Sequence, residues 1–164
     1  MSSQSPEFAV LVPLLTRKGE DYVVLTKRTE QLSKYSGQVS FPGGARDRQD
    51  ATLRHTALRE THEELGLEPT KVELLDELDW FTTGLGHRVK PFVGRLQEAV
   101  SFTPNPDEVD QVLYLPVAIV EADPFSIRDK LPDGRPIYTF DFQGHEVWGL
   151  TAGILRRYFV ADEF

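Results

Sequence analysis

The 164-residue sequence contains no cysteine and one methionine, which excludes a disulfide framework, a thiolate metal site and a cysteine nucleophile. A cytoplasmic setting is the default expectation, although a chain without thiols suits an oxidising compartment as well. Long apolar runs are missing too. The longest, 8–15 and 112–120, are far below the roughly 20 residues of a membrane span, and each holds a proline, so no membrane partner is expected. The stretch from Met1 to Glu7 has neither the basic nor the apolar region of a signal peptide and reads as a short frayed tail over 1–7. Basic residues are outnumbered, 18 against 26, and the net charge of -8 argues against binding a nucleic acid through its phosphate backbone. The imbalance is local, however. The first 48 residues hold seven of the 18 cations against five acids, so Lys27, Arg28, Lys34, Arg46 and Arg48 can form a positive surface for an anionic small molecule or be scattered solvated charges.

A chain of this length with 40% hydrophobic residues supports one core, and 8–164 is expected to form a single domain. Residues 8–12 and 22–26 are β-branched or aromatic runs around Arg17-Lys18-Gly19-Glu20-Asp21, the pattern of a hairpin. Residues 37–41 alternate in polarity and stop at Pro42-Gly43-Gly44, a strong breaker. Further strands are expected at 72–81, 89–96, 112–115 and 137–142. Helices are expected at 52–65, closed by Gly66, and at 150–158. The strands outnumber the helices without alternating strictly with them, which points to an α/β fold with a mixed sheet flanked by helices.

At about 100° per residue the first helix sorts into three sectors. Leu53, Ala57, Leu58, Thr61 and Leu65 make a stripe suited to packing on a sheet, and His55, Arg59 and His62 fall on the solvated side. Glu60, Glu63 and Glu64 emerge together on a flank of the stripe, where only Arg59 is near enough to pair with one of them. An acidic patch near a helix C-terminus is ordinarily just solvated surface. Here the carboxylates border the apolar face, where desolvation sharpens their repulsion, and they oppose the helix dipole. A hard divalent cation, Mg²⁺ or Mn²⁺, relieves both problems.

These residues resemble the Nudix box, in which a glycine, five residues, a glutamate and seven residues precede Arg-Glu-U-x-Glu-Glu-x-Gly-U, with U aliphatic. Arg59-Glu60-Thr61-His62-Glu63-Glu64-Leu65-Gly66-Leu67 matches the second half at every fixed position. The first half departs: after Gly44 the acid is Asp50 rather than glutamate, eight residues separate it from Arg59, and Thr61 stands where an aliphatic residue is usual. Asp50 is therefore kept out of the metal set. The segments 25–29, 37–44 and 56–60, with Trp148-Gly149-Leu150-Thr151-Ala152-Gly153-Ile154-Leu155, resemble the branch of the family that cleaves coenzyme A. Ser33 stands where that branch usually has arginine, so the phosphate contact is lost or passes to Lys34.

The resemblance implies a Nudix-type α/β/α sandwich with Glu60, Glu63, Glu64 and the Gly44 carbonyl as metal ligands and Arg59 orienting a ligand carboxylate. It implies metal-dependent attack of water on a diphosphate. Glu64 or Glu108 is the candidate general base, and for Glu108 a plain surface role is equally open. Arg28, Lys34, Gln38, Phe41, Trp80, Phe81 and Lys90 are the candidate substrate contacts; strand packing accounts for Trp80 or Phe81 as well. Coenzyme A is the expected substrate, with ADP-ribose or another nucleoside diphosphate derivative, or a non-catalytic nucleotide sensor, as alternatives. A homodimer is left open. His145-Glu146 lacks the second histidine of a zincin, and Gly84-Leu85-Gly86 lacks the strand and helix of a dinucleotide fingerprint.

Overall fold

The computed structural model describes residues 6–30 and 37–160. Its centre is β1, Glu7–Arg17, whose middle seven residues are all buried because helices cover both faces of the sheet. The hairpin partner β2, Glu20–Arg28, returns antiparallel through the expected Lys18-Gly19 turn, in which both residues adopt positive φ. The remaining strands of this sheet are β3 (Val39–Ser40), β4 (Gly43–Ala45), β5 (Val72–Glu77), β6 (Phe81–Thr82), β7 (Arg88–Leu96) and β8 (Val109–Pro116). The path runs β3-β2-β1-β7-β5, with β4 beside β1, β6 beside β7 and β8 beside β2. Only the β1–β7 pair is parallel among the described strands, so the sheet is mixed as expected.

The helix α1, Leu53–Leu65, lies on one face, where Ala57 meets Ala9, Leu11 and Phe92 in a small cluster. Alanine on both sides lets the helix sit close to the sheet. The other face carries α3, Leu150–Phe159, and a three-stranded sheet of β9 (Ser126–Lys130), β10 (Pro136–Phe142) and β11 (His145–Trp148). There Ile154, Leu155, Phe140, Phe142 and Val147 close the main core over Val10, Val12, Val23 and Leu25. A short helix α2, Val117–Glu121, follows β8. The result is the expected α/β/α sandwich.

Several expectations need correction. The strand expected over 72–81 is two strands, β5 and β6, separated at Leu78-Asp79-Trp80. Pro42-Gly43-Gly44 does not end the extended chain: Gly43 and Gly44 re-enter it as β4, opposite Val10 and Ala9. Trp148 closes β11, and Gly149, at φ 68°, makes the corner into α3. The strands β9 and β11 and the helix α2 had no counterpart in the sequence reading. The first strand begins at Glu7, inside the stretch read as tail; Ser33 and Lys34 lie outside the described residues.

Candidate active site

The site is built where β4 meets α1. Gly43 has no room for a side chain, because a Cβ would strike the Ala9 carbonyl oxygen and the Val10 Cα. Gly44 faces the helix instead: a Cβ there would lie 2.5 to 3.0 Å from the three atoms of the Glu60 carboxylate group. The backbone thus comes as close to Glu60 as glycine alone permits. From the same loop the Gly43 N–H donates to Glu64 Oε2 at 3.2 Å.

Helix α1 begins at Thr52, whose hydroxyl accepts the His55 N–H at 3.1 Å, and ends at Gly66 in the left-handed region, whose N–H reaches the His62 carbonyl at 2.8 Å. Thr61, the departure from an aliphatic residue, is buried and donates its hydroxyl to the Ala57 carbonyl at 2.7 Å, so it satisfies itself within the helix.

Arg59 is not on the solvated side. Its long side chain folds back to Asp50, which accepts two bonds of 2.9 Å from Nε and Nη2. Its Nη1 also meets Glu63 at 3.0 Å and Glu60 at 3.4 Å, so it engages three carboxylates and not one. Asp50 has no exposed side-chain surface; it also accepts from the Thr56 hydroxyl at 2.8 Å and the Asp47 N–H at 2.9 Å. The Arg59 fork, with these further donors, holds the Asp50 carboxyl far below the usual carboxylate range. Asp50 is the residue that sequence reasoning set aside, and its role is to anchor Arg59. The matched acid position in the box was the available signal; the partner was not visible.

Glu60 and Glu64 are different in kind. Burial pushes the Glu60 carboxyl up to about 7, with Arg59 opposing and Glu63 and Glu108 adding to the rise. Burial likewise pushes Glu64 up to about 8; the Gly43 N–H and Arg28 oppose, and Glu60 and Glu108 reinforce. Glu108, contributed by the turn before β8, therefore belongs to the same field as the helix carboxylates. Among the described residues no three acidic or imidazole groups converge on one point, and Arg59 stands against Glu60 and Glu63. The donor set nonetheless fits a hard divalent cation: two desolvated carboxylates resist ionising together until a positive charge joins them.

Arg28 completes this side. It is half-buried, and its Nε is the one buried side-chain nitrogen or oxygen among the described residues with no hydrogen-bond partner. Its backbone N–H donates to the Gln38 carbonyl at 2.9 Å, which places Gln38 next to it. Phe41 is only 5% exposed and its ring belongs to the main core, so it supports the loop from beneath and offers a ligand no surface.

The other expected substrate contacts are not gathered with these. Lys90 and Gly44 flank Ala9 on opposite sides in the sheet, and α1 covers Ala9 between them. Lys90 pairs with Glu77 at 3.4 Å, and Trp80 packs under Arg88 at 4.0 Å, on the far flank of the helix. Phe81 packs against the main core on the opposite face of the sheet, under Arg157 at 3.6 Å.

A family model described as the NUDIX domain matches residues 6–133. A protein named uncharacterized Nudix hydrolase NudL from Pectobacterium atrosepticum is 37% identical over 158 residues, covering 94% of this chain and 81% of that one. Its counterpart in Klebsiella pneumoniae is 38% identical over 153 residues, covering 91% and 79%. Among solved structures, the NUDIX domain of Shewanella oneidensis NrtR in complex with ADP ribose superposes with a TM-score of 0.58 at 20% identity, covering 73% of this chain and 77% of that one. A C. elegans Ap4A hydrolase binary complex gives 0.59 at 17% identity, covering 68% and 80%.

Proposed function

The chain belongs to the Nudix hydrolase family, whose members cleave diphosphate bonds, and from that premise we propose that it hydrolyses coenzyme A at its diphosphate to 3′,5′-ADP and 4′-phosphopantetheine. The observation that carries the reading is the pairing of a desolvated, cation-seeking carboxylate pair, Glu60 and Glu64, with a half-buried arginine whose buried Nε lacks a partner. One half suits divalent metal, the other a phosphate oxygen.

In this reading Glu60, Glu63, Glu64 and the Gly44 carbonyl hold Mg²⁺ or Mn²⁺. Bound there, the ions would supply Lewis acidity and a water of lowered pKa. Arg59, anchored on Asp50, keeps Glu60 and Glu63 in place, while Gly43 holds Glu64 through its N–H. Glu108 takes the proton of the attacking water. Arg28 binds a phosphate oxygen beside Gln38.

Coenzyme A needs a further cationic contact for its 3′-phosphate. Of the cations weighed for it, Lys27 is paired with Asp110 at 3.9 Å and Lys90 with Glu77, Arg28 is given to the diphosphate, and Lys34 lies outside the described residues. The carboxylates select the bond and not the groups attached, so ADP-ribose is the second reading; an NrtR domain of the same fold binds it. The test is kcat/KM for coenzyme A, 3′-dephospho-coenzyme A and ADP-ribose in the same Mg²⁺ or Mn²⁺ buffer. A preference for coenzyme A over its dephospho form of about tenfold or more is expected, from one charge-assisted contact. Preference for ADP-ribose, or indifference to the 3′-phosphate, would overturn the substrate and leave the chemistry standing.

A further inference from the structure

The loop between β7 and β8 supplies the one carboxylate of the cluster that α1 does not. Two of its backbone groups are bonded to the end of that helix. The Thr103 N–H donates to the Leu65 carbonyl at 2.8 Å and the Asn105 N–H to the Glu64 carbonyl at 2.9 Å, satisfying oxygens that a helix C-terminus otherwise leaves open. The loop is therefore seated directly on the residue that carries a candidate metal ligand.

Asn105 then uses its other polar groups to set the turn that follows. Its carbonyl accepts from the Glu108 N–H at 3.0 Å and the Val109 N–H at 2.8 Å. Its side-chain Oδ1 accepts the Asp107 N–H at 3.0 Å, which fixes the orientation of the amide. With the oxygen so engaged, Nδ2 faces Glu108 and donates to its Oε1 at 3.4 Å. Pro104 and Pro106 flank Asn105, and a following proline narrows its backbone choices further.

Resting on the assignment of Glu108 as general base, we propose that Asn105 is a positioning residue that aims the Glu108 carboxylate at the attacking water. The backbone bonds decide where the loop sits; the side-chain amide decides where the carboxylate points. An uncharged donor does this with less loss of basicity than a lysine would cause.

The experiment compares Asn105→Ser, Glu108→Gln and the double variant, assayed on coenzyme A and on ADP-ribose at saturating Mg²⁺. Serine can still accept the Asp107 N–H but cannot reach Glu108, and the backbone bonds remain, so the fold is kept; thermal melting checks this. Asn105→Ser is expected to lower kcat about tenfold with KM unchanged, as misplacement of a catalytic group does. Glu108→Gln should lose about 100-fold or more. The double variant should fall no further than Glu108→Gln alone. Wild-type kcat in Asn105→Ser beside an inactive Glu108→Gln, or losses that multiply in the double variant, would overturn the positioning role. Full activity in Glu108→Gln would overturn the assignment of the base, and the inference with it.

Discussion

Two adjacent glycines do different work, and the difference is measurable. A methyl at position 43 meets backbone, the Ala9 carbonyl and the Val10 Cα, neither of which can move without disturbing the β1–β4 pairing. A methyl at position 44 meets the end of a flexible side chain, the Glu60 carboxylate. Gly43→Ala should cost about 1 to 3 kcal/mol of stability by overpacking. Gly44→Ala should leave the melting temperature close to wild type and lower kcat by displacing Glu60. Thermal melts and initial rates on the same preparations check both, and equal melting temperatures for the two variants would refute the distinction. Glu64→Gln belongs beside them: it removes one charge of the proposed metal set from a buried position, and most activity should disappear while the far-UV circular dichroism stays unchanged.

At the level of elements, α1 shows how far sequence carries and where it stops. Its bounds were legible because Thr52 is a capping residue, Gly66 a left-handed terminator and the apolar spacing helical. That Glu60 and Glu64 border the apolar face was legible for the same reason, being a property of spacing within one element. The fate of Arg59 was not. A helical wheel gives the direction of a Cβ, whereas a guanidinium several bonds further out can fold back to a residue preceding the helix. Arg28 and Glu108 reach the same field from a separate strand and turn, and it was the family resemblance rather than helical spacing that put them among the candidates.

The Asp50–Arg59 pair makes this testable. Asp50 has its folded pKa depressed, so its contribution is fully present above the unfolded aspartate value of about 4 and is lost as pH falls through the lower folded value. Asp50→Asn should cost about 3 kcal/mol at pH 7, in the range for removing one partner of a buried pair. The gap between the two melting temperatures should narrow below about pH 4. A gap independent of pH from 7 down to 3 would show that the aspartate acts by shape and not by charge.

Across the whole molecule, the central strands were readable from their composition, whereas of the second sheet only β10 was. The strand β9, Ser-Ile-Arg-Asp-Lys, is exposed at every position and pairs on one side only among the described strands, so it carries no periodicity to detect. The separation of Lys90 and Trp80 from the carboxylates is also a property of the assembled sandwich, since it depends on α1 crossing Ala9.

Under the proposed metal site, the same assembly makes metal a determinant of stability. Repulsion among Glu60, Glu64 and Glu108 exists because folding desolvates the first two and brings the third to them; in the unfolded chain the separation of Glu108 from the helix pair removes much of it. A cation that binds this arrangement and not the unfolded chain must raise the melting temperature by mass action. At Mg²⁺ about 100 times its dissociation constant the gain is about 2.7 kcal/mol, which for a chain of this size is roughly 5 to 10 °C. Glu60→Gln removes one charge from the set and should blunt that rise, while Glu68→Gln, on an exposed side chain after the helix, should not. A melting temperature that responds to Mg²⁺ equally in both variants and in the wild type would place the stabilising ion somewhere other than the junction of β4 and α1.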